Sequence, residues 1–211
     1  MNFIALQPRR HQTQFHQIRE YLKHEQGFSL VEVLISVIIL SFGLLGMVGL
    51  QAAALQANRE ARLQSSGAAL ARELAEMMRG NKDVGLLASS NPYFGNFTSP
   101  LAPATASYCL NVANTTACST PANTGNAQMT EWLMRVDNEL PGARVTVCSD
   151  SSPFDSNGLP QWACTSSSTG ETAVIKIGWT RGSTNRSLKN ENALERATTP
   201  SIVFPVTPGN T

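Results

Sequence analysis

The chain has 211 residues, 15% of them charged, and a formal net charge of +1. That balance offers no basic face of the kind nucleic-acid binding needs, and the length allows one membrane helix plus one modest domain. Beyond about residue 80 the sequence turns rich in Ser, Thr, Asn, Gly and Pro, the composition of a loop-heavy extracytoplasmic β domain.

Residues 1–27 carry Arg9, Arg10, Arg19 and Lys23 against Glu20 and Glu25, an excess of positive charge that predicts a cytoplasmic side. The stretch Glu25-Gln26-Gly27-Phe28-Ser29-Leu30-Val31-Glu32 then opens a long apolar run with a single carboxylate inside it. Phe28 to Leu50 holds no other charge, and as a helix it covers roughly 35 Å, enough to cross a bilayer. A lone Glu in such a segment costs on the order of a few kcal/mol, so Glu32 calls for a partner. An ordinary secretory signal peptide, cut near Ala52-Ala53-Ala54, is the competing reading. Three features oppose it: the apolar region is too long, it contains Glu32, and the alanine-rich tract continues as helix. Arg9-Arg10 stand too far upstream of the apolar run for a twin-arginine signal.

No proline occurs between Phe28 and Asn91, and helix formers dominate Gln51 to Arg79. Leu63, Gly67, Leu70, Leu74 and Met77 recur at spacings of four and three, the seam of an amphipathic helix. Arg59, Glu60, Arg62, Arg72, Glu73, Glu76 and Arg79 occupy its other faces. One helix of about 50 residues is therefore predicted, ending near Gly80-Asn81. Its first half would lie in lipid and its second against a globular domain.

The segment from Gly80 to about Asn126 reads as irregular. A short helix is predicted over Thr130–Leu140, with Thr130 as N-cap, Trp132, Leu133, Val136 and Leu140 on one face, and Pro141-Gly142 as the stop. Strands are predicted at Ala143–Cys148, Thr172–Thr180 and Ser201–Val206. Helix first and antiparallel strands after predict an α+β fold in which the long helix packs on the sheet. Trp132 and Trp179 sit at core spacing. The acceptor patterns Asn96-Phe97-Thr98 and Asn114-Thr115-Thr116 are too short to carry a function.

Four cysteines, Cys109, Cys118, Cys148 and Cys164, lie downstream of the apolar run, where an even count reads as disulfides. They permit three pairings, of which sequence proximity favours Cys109–Cys118 with Cys148–Cys164. No CxxC spacing is present, and His11, His16 and His24 all precede Gly27, so no metal and no cofactor is expected. No Ser or Cys is accompanied by a recognisable base, which argues against an enzyme.

Gly27, Phe28, Ser29, Leu30, Val31 and Glu32 together resemble the class III leader junction of type IV pilins and pseudopilins. The resemblance implies cleavage after Gly27 by a prepilin peptidase, N-methylation of Phe28, and a role for Glu32 in subunit assembly. It implies domains at 1–27 (leader), 28–50 (transmembrane half of the helix), 51–80 (amphipathic half) and 81–211 (extracytoplasmic α+β pilin domain). Farther on, Leu44-Leu45-Gly46-Met47-Val48-Gly49-Leu50-Gln51-Ala52-Ala53 and Ala75-Glu76-Met77-Met78-Arg79-Gly80-Asn81 are similar to the corresponding stretches of PilV-type minor pilins. So is the order of cysteine pair, Trp-bearing helix, Leu140-Pro141-Gly142-Ala143 and a strand ending in Trp179.

That subgroup implies a structural subunit that primes type IV pilus assembly and supports twitching motility or adhesion. Its partners would be other minor and major pilins, the prepilin peptidase and the inner-membrane assembly platform. It would sit in a bacterial inner membrane with a periplasmic C-terminal domain, and then in the extracellular pilus. A minor pseudopilin of a type II secretion system and a tip adhesin are the alternatives. Gly43, Gly46 and Gly49 then have two open readings: close approach of neighbouring helices, or a segment that loosens when the subunit leaves the membrane.

Overall fold

The computed structural model describes residues 27–85, 87, 89–113, 116–166, 172–183 and 194–206. The leader expected over residues 1–26 and the acceptor pattern at Asn114 lie outside the described residues.

Helix α1 runs from Leu30 to Gly80 without a break. Ser29 stands at its N-cap: its carbonyl accepts from Val33 N at 3.2 Å, and its Oγ accepts from Val31 N at 3.3 Å. At the other end Asn81 N donates to Met77 O at 3.0 Å. The Asn81 amide then donates to the Tyr93 hydroxyl at 3.0 Å and to Pro121 O at 2.8 Å. One further turn, α2 (Lys82–Gly85), follows.

By internal contacts the chain forms two units, residues 1–50 and 51–211. In the first, every described residue is exposed, its Leu, Ile, Val and Phe side chains included. Its hydroxyls are nonetheless satisfied: Ser36 Oγ donates to Glu32 O and Ser41 Oγ to Val37 O, both at 2.7 Å. Such back-bonding to the preceding turn is what polar side chains need where water is absent.

The second unit is built on a four-stranded antiparallel sheet. Strands β1 (Gly95–Thr98), β2 (Arg144–Asp150), β3 (Thr172–Gly178) and β6 (Ile202–Val206) lie in the order β1-β2-β3-β6. A two-stranded ribbon, β4 (Arg181–Gly182) with β5 (Leu194–Glu195), stands apart from it. In register, Val145 opposes Ile177 and Val147 opposes Ile175. These alternate residues form one face, which packs on Leu70, Leu74 and Met78 of α1 and on Met129, Trp132, Leu133 and Val136 of helix α3 (Pro121–Glu139). Trp132 Nε1 donates to Leu70 O at 3.0 Å, tying the two helices together. Gly67 lets α1 come close to this layer, because a Cβ there would lie 2.7 Å from Ile202 and 3.0 Å from Trp179.

The opposite face is buried too. Lys176 and Val174 of β3 are 0% and 2% exposed, covered by the loop that the Cys148–Cys164 disulfide closes. Trp162 from that loop lies against Gly178, where a Cβ would come within 2.9 Å of the indole, and Arg144 stacks over the ring at 4.3 Å. A central strand covered on both faces accounts for the near-continuous apolar run in β3.

The predicted α+β architecture and the single long helix match the structure. Two local expectations do not. The helix predicted from Thr130 begins at Pro121, because Thr120 is the true N-cap: its side chain accepts from Asn123 N at 3.1 Å, and proline fits the first turn. Thr130 is mid-helix, with Oγ1 donating to Asn126 O at 2.7 Å and accepting from Ser107 N at 3.0 Å. The segment read as irregular also contains β1, four residues that pair along β2.

Candidate processing and assembly site

The N-terminal residues form a simple constellation. Gly27 is followed by Phe28, which is 81% exposed, and α1 begins two residues later. A Cβ at Gly27 would meet nothing within 4 Å. Glu32 falls in the first turn of α1. There the unpaired amides of the helix start favour a carboxylate, which lowers the cost of placing it in an apolar run. The pattern Ser29-x-x-Glu32 carries that signal in the sequence, and the sequence reading overlooked it.

Phe28, Glu32, Val33, Ser36, Val37 and Leu40 line an open, mostly apolar concavity of about 390 Å³. Among the described residues the Glu32 carboxylate has no hydrogen-bond or ion-pair partner. A lone acidic group on an apolar face can accept a cation from another molecule.

The cysteines occupy the second unit. Cys109 is bonded to Cys118, with Cα atoms 5.0 Å apart, and Cys148 to Cys164, at 6.4 Å. Asp150 lies near the second pair, but sulfurs joined in a disulfide are not thiolate ligands, and its carboxylate is already engaged. Lys176 Nζ sits 2.5 Å from Asp150 Oδ2, with both side chains fully buried. Asp150 Oδ1 accepts from Ser152 N at 2.9 Å and Thr165 N at 3.0 Å, while Lys176 Nζ donates to Ala163 O at 2.6 Å. Burial alone would raise the Asp150 pKa, but Lys176 and the two backbone amides outweigh it and hold the carboxyl below its usual range. This pair fastens the disulfide loop to the sheet; it is a structural clamp that sequence reading missed. The signal was a Lys inside an otherwise apolar strand.

Tyr93 is a second buried polar anchor. Its hydroxyl accepts from Asn81 and donates to Gln128 Oε1. Burial pushes its pKa up, against the opposing effect of the Asn81 bond.

Residues 22–48 match the family model described as the prokaryotic N-terminal methylation motif. No curated protein and no solved structure matches the chain. The match spans Gly27, Phe28 and Glu32, and the apolar helix that follows fits membrane anchoring. This motif, running into a long apolar helix that is followed by a small antiparallel sheet, is what type IV pilin-like and pseudopilin proteins carry, and it supports that reading of the chain.

Proposed function

We propose that this chain is a PilV-type minor pilin, a structural subunit that primes type IV pilus assembly. The observation that carries the reading is the methylation motif placed on a helix whose first half is wholly exposed in the isolated chain. Cleavage after Gly27 by a prepilin peptidase frees the amine of Phe28, which is then methylated and keeps its positive charge. Opposite charges at about 4 Å attract by about 4 kcal/mol at an effective dielectric near 20. Glu32 of one subunit therefore gains by meeting the Phe28 amine of a neighbour, offsetting the burial of both. The two groups lie four residues apart in sequence at the start of α1, so the pair fixes an axial stagger between adjacent helices. The exposed Leu, Ile and Val side chains supply the adhesion.

The resulting subunit would anchor in the inner membrane with residues 51–211 on the periplasmic side, then enter the pilus beside other minor and major pilins. Glu32→Gln tests the assembly role: it should leave membrane insertion intact and lower incorporation into pili. Normal piliation with normal co-purification of partner pilins would contradict it.

The same motif fits a minor pseudopilin of a type II secretion system. A deletion strain separates the two, through loss of twitching in one case and loss of exoprotein secretion in the other. A tip-adhesin role is favoured by the exposure of Tyr108, Leu110 and Val112 at and inside the Cys109–Cys118 loop. Binding of the intact protein to host or abiotic surfaces, lost on Val112→Asp, would support that role.

A further inference from the structure

Strand β1 forms one edge of the four-stranded sheet, with β2 on its inner side. Ser99 N donates to Ala143 O at 2.9 Å, just beyond the Thr98–Arg144 pair. Bonded and non-bonded pairs alternate in an antiparallel ladder, so Gly95 and Phe97 turn their main-chain groups toward β2. Those of Asn96 and Thr98 face the open side, where no strand lies among the described residues. Both residues are exposed, and β1 contains no proline, charged side chain or bulge to deter pairing.

Beside this edge, on the sheet face away from the core, lies an open groove of about 520 Å³. Arg144 and Thr146 of β2, Asn96 of β1, Trp162 and the Cys148–Cys164 disulfide line it, and its lining includes no carboxylate. Asn96 Oδ1 accepts from Thr146 Oγ1 at 3.1 Å, which leaves the Asn96 amide N–H groups to donate. The Arg144 guanidinium is held only by its stack over Trp162. Its Nε is buried without a hydrogen-bond partner, and among the described residues no acidic group pairs with it. A guanidinium fixed in this way presents a planar fork that suits a carboxylate. Arg144 also covers one face of the indole, the surface on which a sugar ring would stack, so the groove suits a peptide better than a glycan.

We propose that β1 and this groove dock an extended acidic segment of another protein. The segment adds beside β1 as a fifth strand, bonded to the main chain of Asn96 and Thr98. One of its alternate side chains, an Asp or a Glu, enters the groove and pairs with Arg144. Main-chain bonds supply affinity in such an arrangement, and the groove selects the side chain. The site lies wholly within the second unit and is independent of what happens at Gly27 and Glu32.

The test uses the full chain in detergent against an array of heptapeptides, Thr-Xaa-Thr-Xaa-Thr-Xaa-Thr, with Val, Glu, Gln or Lys at each Xaa. Peptides with one Glu among Val should bind about ten-fold more tightly than their Gln counterparts, and the margin should shrink as salt is raised. The amides of Asn96 and Thr98 should gain protection from hydrogen exchange when such a peptide binds. Arg144→Gln should remove the preference for Glu, and Arg144→Glu should turn it into a preference for Lys. Thr98→Pro, which removes one outward amide and spares the bonds to β2, should weaken all the peptides alike. The exchange measurement on the parent chain needs no variant. Absence of any peptide held above background, equal binding of Glu and Gln peptides, or protection that falls elsewhere than β1 overturns the proposal. Oligogalacturonate is titrated in parallel. Its Arg144-dependent binding, with no peptide selected, would assign the groove to an acidic glycan and overturn the peptide site.

Discussion

The two halves of α1 obey one backbone geometry in two different surroundings. Between Leu30 and Leu50 every side chain is exposed, whereas Leu70, Ala71, Leu74, Ala75 and Met78 are 4% exposed or less. Burying a Leu-sized side chain is worth about 1.5–3 kcal/mol. The second half gains that within its own chain, against Trp132 and the sheet. Among the described residues the first half has nothing to gain it from, which leaves lipid or other helices as its source of stabilisation. A single helix thus carries both part of the core of a domain and a long exposed apolar surface.

The comparison breaks most visibly at the core. Trp132→Ala should cost about 3–5 kcal/mol of the stability of the second unit, because it opens a cavity and removes the bond to Leu70 O. Leu40→Ala, equally apolar but exposed, should change that stability by less than about 0.5 kcal/mol. Denaturant unfolding of the detergent-solubilised protein, followed by tryptophan fluorescence, reads both. A comparable loss for Leu40→Ala would mean that the first half is packed against the domain.

Lys176→Met should be nearly as damaging, about 3–5 kcal/mol, since it leaves Asp150 buried without its counter-charge. Adding Asp150→Leu should recover much of that loss, a sign of coupling that the same unfolding experiment measures. Next in size is the disulfide beside the clamp. Cys148→Ser with Cys164→Ser should cost about 3 kcal/mol, the entropy of closing a loop of that length. Reductant, which opens Cys109–Cys118 as well, should lower the unfolding midpoint of the parent chain further than the double Ser variant does.

A weaker effect is the response to acid. The Asp150 carboxyl titrates below its unfolded value, so the stability it contributes is fully present above about pH 4 and is lost as pH falls through the folded pKa. Thermal melts from neutral to strongly acidic pH should show that decline, and Asp150→Asn should flatten it. Smallest of all for the domain is Gly46→Ala. It should strengthen the exposed helix by about 1 kcal/mol and leave the second unit unchanged. Pilus yield from that variant tells the two readings of the glycines apart: lowered yield with normal membrane packing favours a segment that must loosen.

Long-period features were legible in the sequence. The seam from Leu63 to Met77 marks the buried side of α1, although its centre lies one position farther, at Met78 rather than the half-buried Met77. Trp132, Leu133, Val136 and Leu140 are all fully buried, as their shared face implied. What escaped was local and cooperative. Strand β1 is four residues long and owes its conformation to pairing with β2, which no window of sequence contains. The start of α3 was hidden because Asn123, Thr124, Gly125 and Asn126 have loop-like propensities, which the Thr120 cap and tertiary packing override. The Lys176–Asp150 clamp joins positions far apart in the chain, and only the fold brings them together.

The central claim is that Glu32 is tolerated in an apolar surface because a neighbouring subunit's freed N-terminus neutralises it. N-terminal sequencing with intact-mass measurement of the membrane-extracted protein tests its premise directly. A chain that begins at Phe28 and carries one added methyl group is the expected result. A chain that begins near Leu55, or that keeps Gly27 joined to Phe28, would leave no amine for Glu32 to meet and would contradict the account.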